Sequence, residues 1–108
     1  MSFKEEWDKV AKECYERAVK SGFWENDRND GEAVALIHSE LSEALEFMRH
    51  KNPPSDHVPE ISGVEEELAD VIIRLMDFAI GRGWDVATAV EKKMEFNATR
   101  PRKHGKEF

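Results

Sequence analysis

Apolar residues recur every three or four positions along most of this 108-residue chain, and no stretch alternates apolar and polar residues over a useful length. The first spacing places apolar side chains along one face of an α-helix, whereas alternation is typical of a half-buried β-strand. The sequence therefore predicts an all-α fold, a small four-helix bundle-like domain that spans residues 1–108. Because so short a chain buries a modest share of its surface, we expect oligomerisation to complete the core, as a homodimer or homotetramer.

Capping and helix-ending residues divide this pattern into four helices. Gly22 is a natural end for the first helix, and Asp30 is expected to cap the second. Ser62 and Glu65 form the capping-box pattern that opens the third helix, and Asp85 can cap the fourth. Three of the four prolines lie between the second and third helices, so that connection must be irregular. The expected helices span residues 3–21, 30–51, 62–82 and 85–97.

Charge is distributed unevenly along the chain. The net charge is −7, yet residues 92–108 contain six basic and two acidic side chains. An acidic body can hold a divalent cation and a basic end can meet phosphates, whereas the overall charge argues against a nucleic-acid partner. The charged start "MSFKEEWDK" is no signal peptide, and no apolar run approaches the roughly 20 residues of a membrane span. We therefore expect a cytoplasmic protein without a membrane partner.

Cys14 is the only cysteine. A single thiol excludes an internal disulfide and any cysteine-rich zinc site. Because Cys14 shares a helical stripe with Val10, Ala11 and Ala18, we expect a buried, inert side chain.

Two carboxylates in the second helix interrupt its apolar pattern. Leu36, Glu40, Glu43 and Phe47 fall within a stripe only about 60° wide, with Glu40 inside the apolar arc and Glu43 on its rim. An isolated ionised carboxylate against a core costs several kcal/mol unless an opposite charge meets it. A metal ion or a basic side chain is therefore required beside Glu40.

The third helix is apolar over most of its circumference and has one narrow polar strip, formed by Glu67, Asp70, Arg74 and Asp77. If this strip faces Glu40 and Glu43, four hard oxygen ligands surround a shared point. Such a set suits Mg²⁺ or Mn²⁺ and is wrong for zinc or copper. The alternatives are two solvated helix faces, or a di-iron bundle. The second normally needs Glu-x-x-His ligands, and no histidine here has a glutamate three residues before it.

Three segments of the chain resemble the MazG-like nucleoside triphosphate pyrophosphohydrolases of the all-α NTP pyrophosphatase superfamily. They are "SELSEALE", "EEELADVIIRLMDFA" and "KKMEFNATRPRKHGKEF". The resemblance covers most of the chain and implies a single MazG-like domain. It also implies Mg²⁺, with Mn²⁺ as a substitute, held by Glu40, Glu43, Glu67 and Asp70. The implied reaction cleaves a nucleoside triphosphate between the α- and β-phosphates, giving nucleoside monophosphate and pyrophosphate, as a housecleaning enzyme of the nucleotide pool does.

The resemblance extends to the catalytic and phosphate-binding roles. One carboxylate, Glu40 or Glu43, would act as the base instead of as a ligand, and the sequence does not choose between them. Lys93, Asn97 and Arg100 repeat at helical spacing and match the family's substrate-side residues. Residues 98–108 either order over the phosphates or form a flexible basic tail.

Three further residues are substrate-binding candidates. Arg74 can reach a phosphate or form an ion pair with Asp70 or Asp77. Trp24 and Arg28 lie in a loop, where an exposed aromatic ring can stack on a base, as in family members that grip a base just before the second helix.

Two other functions remain alternatives. Ser39 stands where the family often has an acid, which favours a non-catalytic helical interaction module that keeps the fold. A related hydrolase of the dUTPase-like or phosphoribosyl-ATP type would share the same acidic motifs.

Overall fold

A computed structural model describes all 108 residues and contains four α-helices and no β-strand. None of these helices is both long and apolar enough to cross a bilayer. The all-α prediction is therefore confirmed. The helices are α1 (Phe3–Lys20), α2 (Asp30–Arg49), α3 (Gly63–Arg82) and α4 (Val86–Ala98), and a single 3-10 turn covers Arg102–Gly105.

Most of the predicted helix ends are confirmed. Ser62 and Glu65 form a complete capping box, in which each side chain accepts a hydrogen bond from the other residue's backbone N–H. Gly83 ends α3 in the left-handed conformation, with φ of 75°, which glycine adopts without strain. The side chain of Asp85 accepts from the backbone N–H of Thr88 and so caps α4.

The start and end of α2 differ from the prediction. Asn29, not Asp30, is the cap, because its side chain accepts from the backbone N–H of Glu32, while the Asp30 carboxylate pairs with Arg82 on α3 at 2.7 Å. The helix ends at Arg49, and the next residues turn away from helical geometry, with positive φ at 51 and 52.

The helices α2 and α3 form an antiparallel pair, α1 packs onto α3, and α4 packs chiefly against α1. The ring of Phe47 on α2 lies so close to Gly63 on α3 that no Cβ would fit there. This close approach at the start of α3 brings the carboxylates of the two helices to face each other.

The core of one chain is small. No large side chain is fully buried, and five of the seven buried apolar residues are alanines. The accessible surface is 8203 Å², whereas a compact 12.5-kDa monomer exposes about 6,200 Å². The radius of gyration is 16.2 Å, against roughly 13 Å for a compact domain of this length. The buried apolar residues are Ala11, Ala33, Ala44, Met76, Phe78, Ala79 and Ala87.

Candidate metal centre

Three of the four predicted ligands meet between α2 and α3. Glu40, Glu67 and Asp70 each offer a carboxylate oxygen, and these oxygens lie within 4.8 Å of one another. Glu40 is 9% exposed and Glu67 is 6% exposed, as the position of Glu40 inside an apolar arc predicts. We call these three residues the acidic cluster.

The fourth predicted ligand, Glu43, lies one turn along α2 from Glu40 and is exposed at the rim of the cluster. Burial, and then the neighbouring carboxyl groups of Glu40 and Glu43, raise the pKa of Glu67 to about 8. Burial and the charge of Glu40 also raise the pKa of Asp70.

One basic side chain contacts the acidic cluster. Arg74 donates from Nε to Oε1 of Glu40 at 3.0 Å, and its side chain is 29% exposed. The two partners considered from the sequence, Asp70 and Asp77, are therefore not the ones that Arg74 pairs with. A single guanidinium among four neighbouring carboxylates leaves an excess of negative charge.

The cluster also contains an orphaned acceptor. Oε2 of Glu67 is buried, and no hydrogen-bond donor reaches it. A buried polar atom without a partner normally costs about 1–3 kcal/mol, so such atoms are rare and call for an explanation. A divalent cation that takes oxygen ligands would satisfy this atom and neutralise its neighbours. The residues present therefore fit Mg²⁺ or Mn²⁺.

A cavity of about 340 Å³ opens beside the acidic cluster, between α1 and α3. Glu40, Asp70 and Arg74 line one side of it, and Cys14 and Phe23 are among the residues of the other side. Cys14 is half-buried in this wall, not fully buried as expected, and burial raises the pKa of its thiol. Apolar side chains and carboxylates therefore line the same cavity.

Trp24 and Arg28 anchor the loop before α2. The indole Nε1 of Trp24 donates to Oδ1 of Asp77 at 2.6 Å, and Arg28 donates to Oδ2 of the same carboxylate at 2.8 Å. The guanidinium of Arg28 also lies 4.8 Å from the ring centroid of Trp24, and the ring rests on Gly81 with no room for a Cβ. Trp24 is thus half-buried, and the expectation of an exposed Trp24 is wrong.

Phe23 belongs to the candidate site although its role was not predicted from the sequence. Its side chain is 53% exposed and lines the cavity beside the acidic cluster. The signal was present, because Phe23 is the other aromatic residue of the same loop, but sequence alone does not say which of two adjacent rings turns inward.

The predicted phosphate-binding residues lie far from the acidic cluster of their own chain. Lys93 and Arg100 lie over the ring of Phe96, at 4.6 and 5.5 Å from its centroid. The groove between α1 and α4 is lined by Phe3, whereas the cavity is lined by Ala18, about 22 Å further along α1 at 1.5 Å per residue. Within one chain, α4 does not bring its basic residues to the carboxylates.

Two further residues considered from the sequence are Asn97 on α4 and Ser39 on α2. Oδ1 of Asn97 is buried without a hydrogen-bond partner, and the exposed tail beyond it contains the 3-10 turn. Ser39 is exposed and donates to the backbone oxygen of Leu36 at 2.6 Å, so its hydroxyl bonds within its own helix.

Comparisons of the chain with models of known protein families, with curated proteins and with solved structures find no match.

Proposed function

We propose that this protein is a Mg²⁺-dependent nucleoside triphosphate pyrophosphohydrolase that releases nucleoside monophosphate and pyrophosphate. The observation that carries the proposal is the buried Oε2 of Glu67, which lacks a donor although it lies among three other carboxylates. In its ionised form such a group is destabilising unless a cation meets it. The all-oxygen donor set selects a hard divalent ion.

The acidic cluster and the neighbouring Glu43 would have different roles. Glu40, Glu67 and Asp70 would hold the ion, because their oxygens already converge. Glu43 is exposed at the rim, where water has access, so it is the better placed of the two candidate bases to take a proton from the attacking water. A bound divalent cation supplies neutralisation of the triphosphate and a lower pKa for a coordinated water.

The cavity next to the cluster suits the organic part of such a substrate. Phe23 offers an exposed ring for stacking on a base, and Ile73 adds apolar surface. Arg74 is within the same cavity and can turn from Glu40 towards a phosphate. The position of cleavage, at the α-phosphorus, rests on the sequence resemblance.

A panel of ribo- and deoxyribonucleoside triphosphates, incubated with Mg²⁺ and resolved by anion-exchange chromatography, tests the proposal. The expected products are monophosphate and pyrophosphate, with no diphosphate at any time. Glu67→Gln should be inactive, whereas Glu46→Gln, which changes an exposed glutamate of α2, should retain activity.

Two results would contradict the proposal. Release of orthophosphate and diphosphate would refute attack at the α-phosphorus. No turnover of any nucleotide with Mg²⁺ or Mn²⁺ would favour the non-catalytic interaction module, in which Ser39 replaces an acid of the motif.

A further inference from the structure

We propose that Arg74 is an exchangeable partner of Glu40, which leaves that carboxylate when a divalent cation binds the acidic cluster and then binds an anion in the adjacent cavity. The exchange rests on the cation site of the proposed function, and the nature of the anion, a phosphate, rests on the proposed reaction. The movement of Arg74 itself can be measured without any turnover.

The first argument is that Arg74 is held by a single hydrogen bond. Its Nε donates to Oε1 of Glu40 at 3.0 Å, and neither terminal nitrogen of its guanidinium bonds to a protein acceptor. By contrast, Arg82 on the same helix donates from Nε to Asp30 and from a terminal nitrogen to the backbone oxygen of Arg28. Strong arginine–carboxylate pairs frequently have two parallel hydrogen bonds. The contact between Arg74 and Glu40 is therefore the more easily broken of the two.

The second argument is that Arg74 and a cation would compete for the same carboxylate. Oxygens of Glu40, Glu67 and Asp70 lie within 4.8 Å of one another, so a cation among them is bound in part by Glu40. The guanidinium of Arg74 would then lie close to a divalent charge of the same sign, in surroundings where water screens the repulsion only weakly. The cation would also neutralise the negative charge that attracts Arg74 to Glu40. Binding of a cation therefore favours release of Arg74.

The third argument is that the cavity gives the released side chain a place. Arg74 lines this cavity of about 340 Å³, and its side chain is 29% exposed, so its guanidinium can turn into the open space. Arg17 and Arg28 line the same cavity. Their partners, Glu13 and Asp77, lie outside the acidic cluster. Of these three arginines, Arg74 is therefore the one whose availability depends on a cation in the cluster.

The consequence is a coupling between cation binding and anion binding. Without a cation, Glu40 neutralises Arg74 and the other carboxylates of the cluster repel an anion. With a cation, the cluster is neutralised and the guanidinium of Arg74 can pair with an anion in the cavity. Each ligand should therefore raise the affinity for the other by the same factor, and such couplings are typically on the order of 5–150-fold.

Nuclear magnetic resonance of the arginine side chains tests the exchange directly. In protein labelled with ¹⁵N-arginine, the Nε–H signal of Arg74 is identified by its absence from the spectrum of Arg74→Lys. Saturating Mg²⁺ should make this hydrogen exchange with water severalfold faster, because its bond to Glu40 is lost. The Nε–H signal of Arg82 is the matched control, because it donates to Oδ1 of Asp30 at 2.7 Å and should not respond to Mg²⁺.

Titration calorimetry tests the coupling. Arg74→Gln should bind Mg²⁺ about fivefold more tightly than the wild type, or better, because Glu40 then has no competing partner. Arg82→Gln should keep the wild-type affinity. A panel of nucleoside monophosphates is then titrated with and without Mg²⁺. Arg74→Gln should weaken their binding only when Mg²⁺ is present, because Arg74 is paired with Glu40 in its absence.

The contrary outcomes are distinct. If Mg²⁺ binds while hydrogen exchange at Nε of Arg74 is unchanged, Arg74 stays on Glu40 and the exchange is refuted, although the cation site stands. If no monophosphate binds, or Arg74→Gln weakens binding equally with and without Mg²⁺, the coupling is refuted. If Mg²⁺ does not bind, the exchange and the proposed function fail together. The expected exchange in a protein that turns over no nucleotide would refute the proposed function alone.

Discussion

The guanidinium of Arg74 on α3 is hydrogen-bonded to the carboxylate of Glu40 on α2, with 3.0 Å between Nε and Oε1. This ion pair explains how the carboxylate of Glu40 can be buried inside an apolar arc, where Glu40 is only 9% exposed. It leaves Glu67, on the same helix as Arg74, without any positive partner. The two buried glutamates therefore have different partners, and their variants should behave differently.

Divalent cations should stabilise the wild-type protein against heat, because a ligand that binds only the folded state lowers its free energy. At a hundredfold excess over Kd the gain is about 2.7 kcal/mol, which is roughly 10 °C in Tm for a domain of this size. Glu67→Gln should abolish this response and, above the pKa of about 8 of Glu67, raise Tm without metal, because it then removes a buried charge from a repelling cluster. Glu40→Gln should abolish the response but lower Tm, because it leaves Arg74 unpaired.

Differential scanning fluorimetry with and without Mg²⁺ or Mn²⁺ measures both effects. Glu46→Gln is the control and should keep the wild-type response. An unchanged metal response in both cluster variants would mean that the cation does not bind at the acidic cluster.

The stability of the metal-free protein should fall as the pH rises towards 8. The pKa of Glu67 is raised in the folded state, chiefly by burial, to about 8 from its usual 4.5. A raised carboxyl pKa means that the folded state holds the proton more tightly, so this contribution is complete below pH 4.5 and is lost as the pH passes through 8. Denaturant midpoints measured from pH 5 to 8.5 should decline for the wild type and decline less for Glu67→Gln. Parallel curves would show that Glu67 does not titrate in this range.

The loop before α3 should contribute its full stability between the usual pKa values of Glu66 and His57, 4.5 and 6.5. A hydrogen bond with Glu66 raises the pKa of His57, and hydrogen bonds from Ser55 and then His57 lower the pKa of Glu66. The His57 contribution is full below its usual pKa and is lost as pH rises through the raised value, whereas the Glu66 contribution is lost as pH falls below its usual range. The difference in Tm between wild type and His57→Gln should therefore be largest near pH 6 and vanish at pH 9. A difference that is constant with pH would contradict this account.

The buried ion pair of Asp77 and Arg28 should be far more sensitive than the exposed pair of Asp30 and Arg82. Asp77→Asn leaves the guanidinium of Arg28, whose side chain is only 11% exposed, without a counter-charge. Breaking such a buried pair costs about 3–5 kcal/mol. Asp30→Asn, whose side chain is 55% exposed, should cost about 1 kcal/mol or less. Urea unfolding of the two variants gives the comparison, and equal losses would show that Trp24 and Arg28 do not anchor the loop through Asp77.

If the protein hydrolyses nucleotides, substitutions of the basic residues of α4 and of the carboxylates should change different kinetic constants. Lys93→Ala or Arg100→Ala should mainly raise KM, because these side chains would hold phosphates throughout the reaction. Glu43→Gln or Glu67→Gln should mainly lower kcat, by 10²-fold or more if Glu43 is the base. Lys92→Ala, which changes an exposed lysine beside Lys93, is the control. A large loss of kcat in Lys93→Ala with unchanged KM would assign Lys93 to the chemical step.

Local features of the structure could be predicted from the sequence, because they depend on residues a few positions apart. The capping box at Ser62, the glycine end of α3 and the burial of Glu40 all follow from short patterns. The partner of Arg74, the burial of Trp24 and the distance of Lys93 from the carboxylates could not be predicted. Each depends on how whole helices cross, and helical spacing says which face a side chain occupies but not what packs against that face.

The alanine-rich core has a consequence for how this protein comes to its folded state. Alanines allow helices to approach closely, but each contributes little apolar area, so the interior of one copy gives only a small driving force against the loss of chain entropy. The larger apolar side chains of α2 and α4 remain outside that interior. If a second copy covers these side chains, folding and association are one thermodynamic process, and the concentration of the protein sets how much of it is folded.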